Sequence, residues 1–205
     1  MLLERKYSVI VFDLGRVLIP FDYGITRKKM NGVSEGLGDK FVDRYETNYD
    51  LHRKFEKNDL SVDEFLDIMI EWTENKLTRE EFCKLYSELF WENTDVTALI
   101  PKLKEKYKIV LLSNTNEIHK EYGWKNYEFL KYFDKLVLSH EVGAYKPEAK
   151  MYESVMEFTQ LPPEEHIFID DVAEYAEGAR KMGWDAIHFV GYENLVEEFE
   201  KRKIL

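Results

Sequence analysis

The sequence predicts an α/β protein, a doubly wound parallel sheet with a smaller helical domain inserted after the first strand. Short β-branched runs that are apolar at almost every position predict strands buried on both faces. Segments with apolar residues at helical spacing separate the later runs, and strands that alternate with helices favour a parallel sheet. The stretch from about residue 24 to about residue 95 has no β-branched run and is helical in pattern.

Five runs carry the strand prediction. We predict strands at residues 8–13, 108–112, 135–138, 166–171 and 186–190. Between the third and fourth runs, Tyr152, Val155 and Phe158 follow Pro147 at helical spacing, which predicts a crossover helix. A shorter helix is predicted at residues 176–182, between the fourth and fifth runs.

Two capping boxes mark helices in the inserted segment. Ser61 with Glu64, and Thr78 with Glu81, place a hydroxyl and a carboxylate where they can satisfy the first N–H groups of a helix. Apolar residues follow each box at helical spacing. The chain is therefore expected to form two domains, an α/β core of residues 1–20 and 95–205 and a helical cap of residues 21–94.

Composition and charge exclude several classes of protein. Apolar residues make up 44% of the 205 residues, enough to bury a core and to exclude intrinsic disorder. A net charge of −11 repels phosphate backbones and anionic lipid, so neither nucleic acid nor a membrane is an expected partner. The single cysteine, Cys83, fits a reducing compartment. No targeting or membrane-spanning run is visible, so we expect a cytoplasmic protein, a monomer or weak homodimer.

Polar residues end the predicted strands or lie in the loops just after them. These residues are Asp13, Ser113, Asn114, Lys146, Asp170 and Asp171. In an open parallel sheet the carboxyl ends of the strands border one crevice, so these side chains are predicted to converge. A carboxylate nucleophile, a hydroxyl, an ammonium and further carboxylates that hold a hard cation such as Mg²⁺ suit a phosphoryl group.

Four stretches resemble, in order, the short motifs of the haloacid dehalogenase (HAD) superfamily of hydrolases. They are VIVFDLG at 9–15, LLSNT at 111–115, KP at 146–147 and FIDD at 168–171. One such motif alone is a weak signal, whereas four in order at strand ends are specific. The predicted cap also matches the helical insertion that the family carries after its first motif. The resemblance therefore spans nearly the whole chain and implies a Rossmann-like core.

The resemblance implies a role for each of these residues. Asp13 would be the nucleophile that forms an aspartyl-phosphate, and Lys146 would pair with Asp13 and with the phosphoryl group. Ser113 and the backbone N–H of Asn114 would hold the phosphoryl oxygens. The implied metal ligands for Mg²⁺ are Asp13, the carbonyl of Gly15, Asp170 and Asp171. The implied reaction is hydrolysis of a small phosphorylated metabolite.

Two positions depart from the family pattern. Most phosphatases of the superfamily carry an Asp two residues after the nucleophile as general acid and base, and here that residue is Gly15. Tyr175 stands four residues after Asp171, where many relatives have Asp or Asn. Residues 113–116 with His119, together with residues 13–15, resemble bacterial sugar-phosphate phosphatases that act on glucose 1-phosphate. The stable leaving group of such an ester needs less help from an acid, and a cap residue or metal-bound water is the alternative source of that help.

Three functions remain open from the sequence. A Mg²⁺-dependent phosphatase accounts for all four stretches. A catalytically inactive HAD-fold binding module is the second, because Gly15 replaces the acid. A metal-independent 2-haloacid dehalogenase is the third. It shares the nucleophile and also lacks the second carboxylate, but it does not need the pair of Asp170 and Asp171.

Aromatic residues of the predicted cap permit two interpretations. Those near the boundary with the core are Phe21, Tyr23, Tyr45, Tyr49, His52 and Phe55. Such residues pack helices more often than they contact a sugar, although a subset facing the crevice would suit one. His119 either caps its helix or lies in solvent beside it, or it serves as a catalytic acid. Arg16 could contact either the substrate or a neighbouring carboxylate, and we expect the carboxylate. Cys83 is expected to be an inert buried thiol.

Overall fold

The computed structural model describes residues 6–205 and contains a sheet of five parallel strands. Residues 1–5, part of the predicted core segment 1–20, lie outside the described residues. The strands are β1 (Val9–Phe12), β2 (Lys108–Ser113), β3 (Lys135–Leu138), β4 (His166–Asp170) and β5 (Asp185–His188). All five overlap the predicted strands. The α/β prediction from β-branched runs is therefore confirmed.

The order of the strands places β1 at the centre of the sheet. Across the sheet the order is β3-β2-β1-β4-β5, so β1 pairs in parallel with both β2 and β4. The chain thus winds outward from β1 in one direction and then in the other. A crevice forms at the carboxyl end of a sheet where the winding reverses. Here that point lies beyond Phe12, between Ser113 and Asp170.

The first five of the seven helices between β1 and β2 enclose a hydrophobic cluster of their own. They are α1 (Tyr23–Val33), α2 (Leu37–Thr47), α3 (Tyr49–Glu56), α4 (Val62–Trp72) and α5 (Arg79–Ser87). Both predicted capping boxes are formed, at the starts of α4 and α5. Phe65 and Phe82 lie at the centre of the cluster with no exposed surface. This separate packing supports the predicted division into a core and a cap of residues 21–94, which stays a prediction.

The remaining helices cover the two faces of the sheet. They are α6 (Thr94–Thr97), α7 (Ile100–Lys104), α8 (Glu117–His119), α9 (Ser139–Val142), α10 (Ala149–Thr159), α11 (Ala173–Lys181) and α12 (Tyr192–Lys201). A π-helical turn at Lys120–Trp124 and 3-10 helices at Glu128–Tyr132 and Pro163–Glu165 complete the elements. Successive strand residues point to opposite faces, so Ile10 packs with α7 and α12 while Val9 packs with α10 and α11. None of the helices in the described chain is long and apolar enough to cross a bilayer.

Candidate active site

A cavity of about 220 Å³ lies between the carboxyl ends of the strands and the helices inserted after β1. All but one of the site residues predicted from the sequence line it: Asp13, Gly15, Ser113, Asn114, Lys146 and Asp171. Asp170 lies directly behind this lining, fully buried. The strand ends therefore bring together side chains that are up to 158 positions apart in the sequence (Asp13 to Asp171).

Lys146 joins two carboxylates at the centre of this group. Its ammonium Nζ lies 2.6 Å from Asp13 Oδ1 and 2.6 Å from Asp170 Oδ2. Asp13 follows β1 directly, and its backbone N–H donates to Ile169 O of β4 at 2.9 Å, which continues the sheet pairing. The backbone that carries the nucleophile candidate is thus held by the neighbouring strand.

Asn114 holds the loop that carries Lys146. Its Oδ1 accepts from the Lys146 backbone N–H at 2.8 Å, and its Nδ2 donates to the Lys146 carbonyl at 3.3 Å. The next residue, Thr115, is held by Ser139 Oγ, which accepts from the Thr115 N–H at 2.9 Å and donates to the Thr115 carbonyl at 2.8 Å. The two loops therefore form one rigid unit beside Ser113.

The charges at this end of the sheet do not balance. Burial raises the pKa of the Asp13 carboxyl, Lys146 opposes that rise, and Asp170 adds to it. Burial and the neighbouring Asp170 also raise the pKa of Asp171. Burial by itself would lower the pKa of Lys146, but the Asp13 and Asp170 carboxylates raise it, so this lysine stays protonated. Lys146 contacts two of the three carboxylates and Arg16 acts on the third, so acids outnumber cations here, an arrangement that favours binding of a further cation.

The oxygen atoms of these carboxylates suit a hard metal ion. One oxygen from each of Asp13, Asp170 and Asp171 lies within 4.8 Å of the others. Both oxygens of Asp170 already accept hydrogen bonds, one from Lys146 and one from the Val172 N–H at 2.8 Å. Oxygen donors alone are the set that Mg²⁺ prefers. Asp13 and Asp171, which both line the cavity, therefore fit such an ion best.

Gly15 is the position where most relatives carry an acid, and the structure gives a packing reason for glycine. A Cβ built on Gly15 would lie 3.3 Å from the ring of Phe21, closer than ordinary contact. The Arg16 guanidinium in turn lies 5.1 Å from the centre of that ring. The Gly15 carbonyl, predicted to bind metal, accepts from the Val17 N–H at 2.7 Å and keeps a second lone pair.

The wall of the cavity opposite the strands comes from the inserted helices. On α3, Tyr49, His52 and Glu56 are spaced i, i+3 and i+7, which puts them on one face of the helix. All three line the cavity, together with Phe21 and Tyr23. The remaining two aromatics of the predicted set, Tyr45 and Phe55, are buried in the cluster between the helices. Some of the predicted aromatic residues therefore face the cavity, and the others pack the helices together.

One further residue, His119, differs from the expectation. His119 is buried rather than solvated, and it stacks on Tyr86 with ring centres 4.2 Å apart. Burial lowers the pKa of His119 well below its usual value, so its imidazole is neutral. The Tyr175 ring lies 5.2 Å from Lys146 Nζ and lines the cavity. Cys83 is buried as expected, and burial raises the pKa of its thiol to about 11.

Sequence reasoning missed one charged residue of the cavity, Glu56. Its side chain is 13% exposed, and Oε1 lies 3.1 Å from His52 Nε2. The spacing of four residues after His52 on a helix could have indicated this pairing. Nothing in the local pattern tells which face of α3 looks toward the strands, because that depends on how the helices pack.

Comparison with known proteins identifies relatives over most of the chain. Residues 39–189 match the family model described as haloacid dehalogenase-like hydrolase. A D-ribitol-5-phosphate phosphatase of Bacteroides thetaiotaomicron is 27% identical, covering 86% of this chain and 88% of its own length. A phosphorylated carbohydrates phosphatase of Thermotoga maritima is also 27% identical, covering 89% of this chain and 85% of its own.

Solved structures show the same architecture. A HAD family enzyme from Bacteroides thetaiotaomicron, in complex with magnesium and inorganic phosphate, superposes with a TM-score of 0.77 at 27% identity, covering 88% of this chain and 93% of that one. The L-2-haloacid dehalogenase of Xanthobacter autotrophicus, with chloropropionic acid covalently bound, gives a TM-score of 0.62 at 17% identity, covering 97% of this chain and 84% of that one. The second likeness shows a shared fold.

Proposed function

Because the chain belongs to the family of haloacid dehalogenase-like hydrolases, we propose that it is a Mg²⁺-dependent phosphatase acting on a small phosphorylated carbohydrate. The observation that carries the proposal is the contact of Lys146 with both Asp13 and Asp170, 2.6 Å each, at the rim of the cavity. Relatives named as phosphatases of ribitol 5-phosphate and of phosphorylated carbohydrates support the substrate class.

Asp13 is the proposed nucleophile. A carboxylate oxygen of Asp13 attacks phosphorus, the bond from phosphorus to the alcohol oxygen breaks, and the leaving oxygen takes up a proton. Water then attacks the aspartyl-phosphate, which releases inorganic phosphate and regenerates the carboxylate. Lys146 neutralises charge on the phosphoryl oxygens, and Ser113 with the Asn114 N–H binds them. The rigid pairing of Asn114 with the Lys146 loop keeps these donors in place before substrate arrives.

Asp13, Asp171 and the Gly15 carbonyl are the groups proposed to hold Mg²⁺, with Asp170 contributing behind them. When bound, the ion supplies positive charge against the phosphoryl oxygens. Since Asp170 accepts hydrogen bonds from Lys146 and Val172, its main role in this proposal is to orient the lysine. The pair of Asp170 and Asp171 favours the phosphatase over a metal-independent dehalogenase.

The test is a screen of phosphate release from sugar and polyol phosphates, with phenyl phosphate as a simple ester. We expect turnover with Mg²⁺, its loss with EDTA, and a fall of at least about a thousandfold in Asp13→Asn. Activity that survives EDTA or Asp13→Asn contradicts the proposal. Halide release from 2-chloropropionate would instead indicate a dehalogenase, and Mg²⁺ binding without turnover of any ester would indicate an inactive binding module.

A further inference from the structure

Glu56 gives the lining of the cavity one more carboxylate than it has cationic side chains. It lines the same space as Asp13 and Asp171, against which Lys146 and Arg16 supply the positive charge. A substrate brings a phosphoryl dianion into this space as well. A second anionic group on the substrate, placed near Glu56, would be repelled by the Glu56 carboxylate. The part of the substrate beyond the phosphoryl group must therefore be neutral or positive.

The hydrogen-bonding capacity of Glu56 is only partly used by the protein. An ionised carboxylate offers about four acceptor positions. His52 Nε2, 3.1 Å from Oε1, can fill one of them, and the side chain is only 13% exposed. A carboxylate with so little access to water needs donors from another source. Hydroxyl groups on adjacent carbons of a polyol are such donors, and both oxygens of one carboxylate can accept from them.

The position of Glu56 is set by a chain of polar contacts within the cap. His52 is 4% exposed, and its Nδ1 pairs with the hydroxyls of Tyr45 and Tyr86, the latter at 3.2 Å. The imidazole is thereby oriented with Nε2 toward Glu56. Tyr23 and Tyr49 flank this face and offer aromatic surface to a carbon chain. A cavity of about 220 Å³ admits a small substrate only.

We propose that Glu56, positioned by His52, recognises the hydroxyl groups of the substrate and so selects neutral polyol and sugar phosphates. This inference rests on the proposed phosphatase function. It assigns the cap wall a role in choosing the substrate, while the strand ends perform the chemistry. It also requires that esters with a carboxylate at the far end are rejected by the charge of Glu56.

The experiment measures kcat and KM with Mg²⁺ for four esters of different chemistry. D-ribitol 5-phosphate carries hydroxyls, phenyl phosphate carries none, 2-phosphoglycolate carries a carboxylate, and phosphoethanolamine carries an ammonium. Glu56→Gln removes the charge with little change of shape. Glu46→Gln makes the same change at a glutamate on the same helical domain, outside the cavity that contains Asp13.

For Glu56→Gln we expect the ratio of kcat/KM between ribitol 5-phosphate and phenyl phosphate to fall by about tenfold or more, mainly through KM. The kcat/KM value for 2-phosphoglycolate should rise, and structural damage to the protein could not produce such a rise. Glu46→Gln should leave all four values unchanged. His52→Phe should shift the ratio in the same direction, and His52→Gln, which keeps a polar contact, should shift it less.

An equal loss of activity on all four esters in Glu56→Gln would overturn this inference while leaving the phosphatase proposal intact. A wild-type preference for phosphoethanolamine would also overturn it, because Glu56 would then be a site for a cation. Failure of the phosphatase proposal is distinguishable, since in that case the wild-type protein releases phosphate from none of the four esters.

Discussion

Carboxylates lie at both ends of the same sheet, and the two ends differ in the balance between acids and hydrogen-bond donors. At the carboxyl end, Asp13 and Asp170 share the ammonium of Lys146, and a third carboxylate, Asp171, lies close to them. At the other end, Asp185 at the start of β5 accepts from Arg202 Nε at 3.1 Å and from the Tyr7 hydroxyl. The aspartates at the carboxyl end have too few hydrogen-bond donors, whereas Asp185 accepts from more than one.

The pKa values move in opposite directions as a result. Burial by itself would raise the pKa of both carboxyls, Asp13 and Asp185. At Asp185 the hydrogen bonds from Arg202 and Tyr7 overcome burial and lower the pKa to about 2. At Asp13 burial prevails and the pKa rises. A surplus of donors produces a structural ion pair, whereas a surplus of carboxylates produces a site that a cation completes.

The largest expected effect comes from removing the shared ammonium. In Lys146→Met the buried carboxylates of Asp13 and Asp170 lose the ammonium that they share, so we expect a loss of about 3–5 kcal/mol in the free energy of unfolding. Phosphate release should be lost as well. Urea unfolding at pH 7 measures the first and a phosphate assay the second.

A matched variant is Lys104→Met, since Lys104 pairs with a single, partly exposed carboxylate, Asp134. It should cost less than about 1 kcal/mol. If the two variants are equally stable, losing Lys146 costs no more free energy of unfolding than losing a partly exposed ion pair. That result would contradict the contrast between the two ends of the sheet.

A smaller effect is expected from adding Mg²⁺, the cation proposed to bind at the carboxyl end of the sheet. At a free Mg²⁺ concentration about a hundred times the dissociation constant, the free energy of unfolding should rise by about 2.7 kcal/mol. Thermal unfolding with and without Mg²⁺ measures this gain. Asp171→Asn should abolish it, while Asp185→Asn should keep it. Equal stabilisation of both variants would place the ion away from the strand ends.

The smallest effect, and the one that depends on pH, belongs to the opposite end of the sheet. The pKa of Asp185 is lowered from 3.8 to about 2, so its ionised form stabilises the fold above the unfolded-state value and loses this effect as pH falls toward 2. At 1.36 kcal/mol per pKa unit, Asp185→Asn should cost about 2 kcal/mol at pH 7 and about 1 kcal/mol at pH 3. Urea unfolding at the two pH values measures the difference.

Asp63→Asn is the comparison for this variant, because the Asp63 side chain is 83% exposed in its pair with Arg79. It should change stability by less than about 1 kcal/mol at either pH. A cost for Asp185→Asn that stays constant between pH 7 and pH 3 would show that packing, and not the ionised carboxylate, accounts for the loss.

The residues at the strand ends could be predicted because the end of a strand depends on the local sequence pattern. A β-branched run indicates its own end, and parallel strands must all end at one edge, so Asp13 and Asp171 could be expected together before any contact was known. The same reasoning supported Ser113 and Asn114. Lys146 needed the resemblance to the HAD superfamily, since a single lysine in a loop has no pattern of its own.

The helical wall could be predicted only as a group of helices. The capping boxes at Ser61 and Thr78 indicated where α4 and α5 begin. They carried no information about the direction of side chains. The sequence therefore could not distinguish Tyr45, which is buried between helices, from Tyr49, which lines the cavity. Glu56 was not predicted as a residue of the cavity for the same reason.

By itself, the sequence determined the five strands, the place of the inserted helices, and which residues stand at the strand ends. These depend on short-range patterns and on the single edge that parallel strands share. Tertiary structure alone decided that the Phe21 ring packs against Gly15, that Glu56 lines the same cavity as Asp13, and that the pKa of Asp13 rises while that of Asp185 falls. Helix orientation, close contact and burial arise only when distant segments pack, so no local pattern encodes them.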